Sequence, residues 1–257
     1  MIRPLIPTTV RKLRFRNDIP STPSSRTALT ACALAAVVFL RPSHTQATAP
    51  SFCSMSSLSS SAVDDPRVVV QIPCLSDNYG YLLHDPSTGC TAAVDTPDAA
   101  AYRSELDRRG WSLTHVLNTH HHWDHTGGNL ELKAEYSKGG ETGGVTVIGP
   151  ESERDRIPGI DVGVSHGDVV KVGSFEADVL DVGGHTSGHV AFHFKGSSGQ
   201  QSGGQKDGEG GPLPSIVFTG DSLFALGCGK MFEGDQDQFW DSLLRLRELP
   251  DDTVVYW

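Results

Sequence analysis

Cysteine is sparse and unpatterned in this chain. Five of the 257 residues are cysteines (Cys32, Cys53, Cys74, Cys90 and Cys228), an odd number with no pair at CxxC spacing. That excludes a disulfide framework and favours a reducing compartment. A long apolar run is missing too. The run Ala28 to Leu40 spans 13 residues, against the roughly 20 that cross a bilayer, so no stable membrane insertion is expected. Acid is nearly absent from the first 63 residues, where Asp18 stands alone against seven Lys or Arg. Base is short in the rest, which carries 14 Lys or Arg and 30 Asp or Glu. So acidic a body is a poor general binder of nucleic acid or anionic membrane, and an anionic substrate would need a local basic anchor.

Residues 1–63 are rich in Arg, Ser, Thr and Pro, the composition of an organellar targeting presequence that stays outside the fold. Mitochondrion or plastid is the expected destination. If translation starts at Met55 instead, the protein is cytosolic. From residue 64 a single domain is expected to begin. Strands are predicted at 68–72, 79–84, 90–95, 113–119, 145–149, 175–182, 189–194 and 215–220, and "TVVYW" (253–257) begins one more. Thr96 as N-cap, Pro97 as first helical residue and Gly110 just past the end frame a helix. A second helix is predicted over 129–136. A third covers about 237–249, with Phe239, Trp240, Leu243, Leu244 and Leu246 facing inward. Helices and strands interleave, so the fold class is layered α/β. Residues 196–211 hold seven glycines and no apolar residue. They read as a flexible insert between two strands, an idle insertion rather than a lid.

The chemistry concentrates in "NTHHHWDHTGG" (118–128), with four histidines and one aspartate between residues 120 and 125. Imidazole and carboxylate are zinc ligands. In an extended backbone His120 and His122 point to one side and can share a metal, while His121 points away. After Trp123 the chain turns, so Asp124 and His125 can face a neighbouring metal. Two later strand ends offer further ligands: His185 in "GGHTSGHV" and Asp221 in "FTGDSLF". A lone Asp after a strand is more often a cap or turn residue; with the cluster, the set is a metal centre.

HxHxDH, then GHTxGH, then TGDxLF, resembles the metallo-β-lactamase superfamily. Within it, "LSDNYGYLL" (75–83), "THHHWDHTGGN" (119–129) and "GCGKMFEG" (227–234) resemble glyoxalase II, the hydroxyacylglutathione hydrolases. The resemblance covers residues 66–257. It implies an αββα sandwich with the site at one edge and two divalent metals, zinc first, with iron or manganese as alternatives. It implies His120, His122 and His185 on the first metal, Asp124 and His125 on the second, and Asp221 bridging both. The nucleophile would be a hydroxide generated by the metals, with Asp124 and Asp221 as the carboxylates that hold it. The substrate would be a glutathione thioester, S-2-hydroxyacylglutathione, and the chain a monomer. Lys230 would grip the anionic glutathione moiety. Phe232 stands where some members carry a tyrosine that bonds glutathione, so that hydroxyl contact is absent.

In the family the last strand continues into a Gly-His-Glu segment, whose histidine completes the second metal, and then into a helical region. This chain reaches Trp257 first, so the resemblance implies a C-terminally truncated sequence, one ligand short and poor in hydrolysis. The competing readings are a glutathione persulfide dioxygenase of the same superfamily and a truncated relative that binds metal without catalysis.

Overall fold

A computed structural model describes the backbone of Arg14–Phe15 and residues 67–137, 144–196 and 213–257. Among the described residues, the strands form two six-stranded sheets. The first runs β2 (Val68–Cys74), β3 (Asn78–His84), β4 (Thr91–Val94), β5 (His115–Leu117), β6 (Thr146–Pro150) and β7 (Val162–Val164), in chain order. Its first pairings are antiparallel hairpins; from β4 to β7 they are parallel. The second is ordered β1 (Arg14–Phe15), β12 (Val254–Tyr256), β11 (Ile216–Phe218), β10 (Val190–Phe194), β9 (Phe175–Asp181) and β8 (Val169–Val172). Arg14–Phe15, inside the stretch read as a presequence, pair in parallel with Val254 and Val255. The apolar run 28–40 and all but Gly196 of the glycine-rich insert lie outside the described residues. No described helix is long and apolar enough to cross a membrane.

Parallel neighbours need a crossover, and here helices supply it. α1 (Ala99–Arg109) joins β4 to β5, α2 (Trp123–Thr126) and α3 (Asn129–Tyr136) join β5 to β6, and α4 (Gln236–Arg247) joins β11 to β12. The period-two alternation of the strands sorts their side chains into layers. Leu83, Val94, Leu117 and Ile148 of the first sheet meet Val179, Phe192, Phe194 and Phe218 of the second in one central core. The intervening residues Leu82, Ala93, Val116 and Val147 face outward onto Tyr102 and Leu106 of α1 and Leu132 of α3. Ala191, Val217 and Val255 face outward onto Leu246 of α4. The result is the expected αββα sandwich.

Three local expectations change. The N-cap of α1 is Asp98, whose carboxylate accepts from Ala100 N, with Gly110 left-handed at the far end. Thr96 is buried and donates instead to Asn129 Oδ1 at 2.5 Å. In α4 the buried residues are Phe239, Ser242 and Leu246. Trp240 sits a hundred degrees from Phe239 on the helical wheel and is 60% exposed. Strands β7 and β8 and the 3-10 turn Glu151–Arg156 add to the expected elements.

Asp85, just past β3, ties the two sheets together. It is 1% exposed. Its carboxylate accepts from Ser87 N (2.9 Å), Ser87 Oγ (2.6 Å) and Thr88 Oγ1 (2.8 Å), and from Ser174 N (2.7 Å) in the turn between β8 and β9. Burial alone would raise its pKa, but these donors outweigh burial and hold it well below the usual carboxylate range. A depressed folded-state pKa gives stability that is complete above the unfolded value, about 3.9, and fades as pH falls through the folded one. Asp85→Asn is therefore expected to cost about 2 kcal/mol at pH 7, or roughly 4–8 °C in Tm, and progressively less below about pH 4. Thermal melts at pH 7 and pH 3 check this; an equal gap at both would refute it.

Candidate metal centre

The first sheet presents the carboxyl ends of β4 and β5, and the second those of β9, β11 and β12, at one edge of the sandwich. β5 ends at Leu117, and Asn118 to His122 follow directly. His120 is fully buried; its Nε2 lies 3.1 Å from His122 Nδ1. His185, delivered by the loop after β9, places Nε2 2.9 Å from the same His122 atom. Three imidazole nitrogens thus converge, as the HxH spacing predicts, and form a group able to hold a metal ion. His121 points the other way, onto Glu153.

The outer nitrogens of His120, His125 and His185 are fixed by partners that set the ring tautomers. His185 Nδ1–H donates to the Lys230 carbonyl at 2.7 Å, so its Nε2 lone pair faces the centre. Asp95, at the end of β4, accepts from Thr119 N and Thr119 Oγ1, each at 2.8 Å. Thr119 Oγ1 in turn accepts from His120 Nδ1 at 3.0 Å, turning His120 Nε2 inward. His125 Nδ1–H donates to Asp95 Oδ2 at 2.9 Å. Asp95, His120 and His125 also form a group within metal-ligating distance. The Asp95 oxygens are already engaged by these donors, so its role is to orient.

Asp221 follows β11 and spans the gap between the two histidine sets. Its Oδ2 is 3.2 Å from His185 Nε2 and its Oδ1 is 3.2 Å from His125 Nε2. The latter contact is close but not aligned as a hydrogen bond, so His125 Nε2 is a buried atom without a hydrogen-bond partner. That orphaned nitrogen, beside a carboxylate and three converging imidazoles, fits a metal. Burial opposes a charge on His125, but Asp95 and Asp221 outweigh it and push the pKa up to about 10. Burial would likewise raise Asp221, yet the close contact with His125, backed by the neighbouring His185 and His189 rings, holds it down at about 2. The held proton marks a place where a cation is favoured; binding one displaces the proton. Burial, reinforced by the neighbouring imidazoles, holds His120 well below its usual range and lowers His122, leaving both neutral and ready to ligate.

Asp124 lies in the same open cavity of about 350 Å³ as His125, Asp221, Asn78, Tyr79, Phe224 and Trp257. Its carboxylate accepts from Asn78 Nδ2 at 3.1 Å. Lys230 and Phe232 border the first set. The Phe232 ring stands edge-on to His122 and His185, with centroids 5.5 and 5.2 Å away, and Lys230 Nζ lies 4.8 Å from its centroid. Gly229 permits this approach: a Cβ there would strike the Asp221 carbonyl and lie 2.8 Å from His185 Nδ1.

Every residue read from the sequence as a metal or substrate contact thus lies at this edge. Sequence reasoning misses the supports. Asp95 reads only as the end of a strand, and Asn78 falls just before one. Asn118 donates to the His125 carbonyl at 3.0 Å and is held by Asn129. His189 is buried and stacks on His120 at 4.5 Å. The available signal is a polar residue closing an apolar strand next to the one that feeds the histidines.

Residues 78–199 match the metallo-β-lactamase superfamily. The chain is 49% identical over 186 residues to a hydroxyacylglutathione hydrolase of Erythrobacter litoralis, covering 72% of this chain and 64% of that protein. It is 51% identical over 188 residues to one of Methylococcus capsulatus, covering 73% and 64%. It thus spans just under two thirds of the length of these curated relatives. The crystal structure of ETHE1 from Myxococcus xanthus superposes with a TM-score of 0.57 at 30% identity, covering 74% of each chain. With its two facing sheets, its histidine turn after β5 and these relatives, the chain belongs to the metallo-β-lactamase superfamily.

Proposed function

We propose that this protein is a metal-dependent thioester hydrolase that cleaves S-2-hydroxyacylglutathione, S-lactoylglutathione first, to a 2-hydroxy acid and glutathione. The observation that carries the reading is Asp221, set between the His120/His122/His185 group and His125 beside the segment bearing Lys230 and Phe232. The names of the curated relatives support it.

His120, His122 and His185 would hold one divalent cation, Asp124 and His125 a second, and Asp221 both. The donor set suits zinc and also accepts iron or manganese. Bound there, the cations would supply Lewis-acid activation of water and of the thioester carbonyl. The protein's own part is orientation. Asp95 and Thr119 fix the His120 and His125 rings, the Lys230 carbonyl fixes His185, and Asn78 steadies Asp124. The Lys230 ammonium faces solvent above Phe232 and is the local cation that an anionic glutathione requires in so acidic a chain. The leaving thiolate is stable enough near neutral pH to need no strong general acid, and none of the described cysteines is needed as nucleophile.

Plasma emission analysis of bound metal tests the assignment. His122→Ala is expected to lose metal, whereas His121→Ala, which removes an outward-facing ring, should lose far less. An equal loss in both would show the alternation to be misassigned. Release of free thiol from S-lactoylglutathione supports the activity, and oxygen uptake with glutathione persulfide would overturn it in favour of a dioxygenase.

A further inference from the structure

Behind the histidine turn, four side chains outside the proposed ligand set form a network of their own. Glu153, in the turn Glu151–Arg156, has a fully buried side chain. Its Oε2 accepts from His121 N and meets His121 Nδ1, each at 2.8 Å, and its Oε1 accepts from Gly188 N at 3.0 Å. Glu233 accepts from Ser187 N at 3.1 Å and Ser187 Oγ at 3.2 Å, and its Oε1 lies 3.7 Å from His121 Nε2. Arg156 joins the two carboxylates: Nη1 is 2.5 Å from Glu233 and Nη2 3.6 Å from Glu153. Gly188 has no room for a side chain, since a Cβ there would lie 2.7 Å from Glu153 Cγ.

His121, Glu153 and Glu233 could by distance hold a cation. The network argues otherwise. Both Glu153 oxygens already accept from backbone amides, and the positive charge is supplied by the Arg156 guanidinium. Its bond holds the Glu233 carboxyl down at about 2, so the pair stays charged. What the four groups do is connect three segments. The first is the turn carrying His120 and His122, and the second is the loop carrying His185. The third, 229–234, carries Lys230 and Phe232. Backbone bonds from Phe232 N to the His185 carbonyl (3.1 Å) and from Gly234 N to the Gly184 carbonyl (3.3 Å) lie along the same seam.

We propose that Glu153 and Glu233, which meet at His121, and Arg156, which joins the two, are positioning residues that hold the histidine turn, the His185 loop and the substrate-gripping segment as one unit. This rests on the metal-hydrolase reading of the same site. Partners of this kind typically change metal affinity by about 10- to 100-fold when removed.

The test uses the full chain with Glu153→Gln, Glu233→Gln and Arg156→Lys, read by amide hydrogen exchange and by the visible spectrum and affinity of added cobalt(II). Each carboxylate variant is expected to speed exchange about tenfold at amides on the far side of the network as well as its own. Glu153→Gln should reach Phe232 N, and Glu233→Gln should reach His121 N. Arg156→Lys, which keeps the charge but loses the fork, should partly preserve both. Glu153→Gln should also weaken cobalt binding about 10-fold or more and shift its absorption bands. If Glu153→Gln does not fold, Glu233→Gln and Arg156→Lys, at partly exposed side chains, carry the test. Exchange that changes only at each carboxylate's own amides would overturn the proposal. If the unsubstituted chain binds no cobalt, the proposed function fails, while the exchange arm still decides the network.

Discussion

Asp221→Ala is expected to lower the metal held per chain and to reduce thioester hydrolysis by about a thousandfold or more, roughly 4 kcal/mol of transition-state stabilisation. Among the described residues, Asp221 is the carboxylate placed 3.2 Å from ring nitrogens of both histidine sets. Removing it takes away a ligand from both proposed sites at once and leaves His125 Nε2 and His185 Nε2 without the carboxylate beside them. Asp221→Asn separates charge from shape. It keeps the side chain's outline and one acceptor oxygen, but it cannot balance two cations, so it should resemble the alanine variant in metal content. Asp221 lies at the rim, with its side chain 24% exposed, so neither substitution should unfold the chain. Plasma emission analysis and thiol release measure the two effects. Unchanged metal in both variants would sink the bridging assignment.

The parts of this site legible in the sequence are those whose geometry is local. Two histidines two residues apart on an extended backbone must share a side, and the structure puts His120 and His122 3.1 Å apart. His185 and Asp221 are legible only beside the cluster: alone, a polar residue at a glycine-bracketed strand end reads as a cap or turn, and the histidine turn makes it a ligand candidate. The central strands are legible for a similar reason. Residues such as "IVF" and "VAFHF" are buried on both faces, and the runs are correspondingly apolar. The short edge strands are not. In β8 the exposed and buried residues alternate over only four positions, too few to establish a period beside glycine and aspartate. Trp240 is misplaced by its sequence because an apolar residue at the margin of a helix's buried stripe is indistinguishable by type from one inside it. Thr96 has the side chain of an N-cap, but the tertiary contact with Asn129 claims it and the cap passes to Asp98. The outer partners are the hardest of all. Asp95 and Glu153 look like ordinary strand-end and turn acids until residues 24 to 35 positions away arrive beside them.

Asp95 carries the prediction that best separates support from ligation. It adopts a left-handed backbone, φ 49°, which costs a non-glycine residue about 1 kcal/mol or more. The surroundings hold it there: its N–H donates to the Leu117 carbonyl at 2.9 Å, and its own carbonyl accepts from the buried Tyr102 hydroxyl. Its carboxylate then satisfies Thr119 N, Thr119 Oγ1 and His125 Nδ1, all within a buried pocket. Asp95→Ala strands those three donors and leaves the His125 imidazole with one carboxylate instead of two. Breaking a buried, charged, hydrogen-bonded group of this kind costs about 3–5 kcal/mol, or roughly 10 °C in Tm for a domain of this size. The loss is expected even in a chelator, because the stranded donors belong to the chain and not to the metal. With zinc added, affinity should also fall about 10- to 100-fold, since His120 and His125 lose the groups that aim them. Asp221→Ala should differ in kind: a small change in Tm in chelator, and a large loss of the stabilisation that zinc confers. Melting the two variants and the parent chain with and without zinc resolves the pair. If Asp95→Ala melts with the parent in chelator, the carboxylate does not support the turn, and the tautomers of His120 and His125 that rest on it lose their basis.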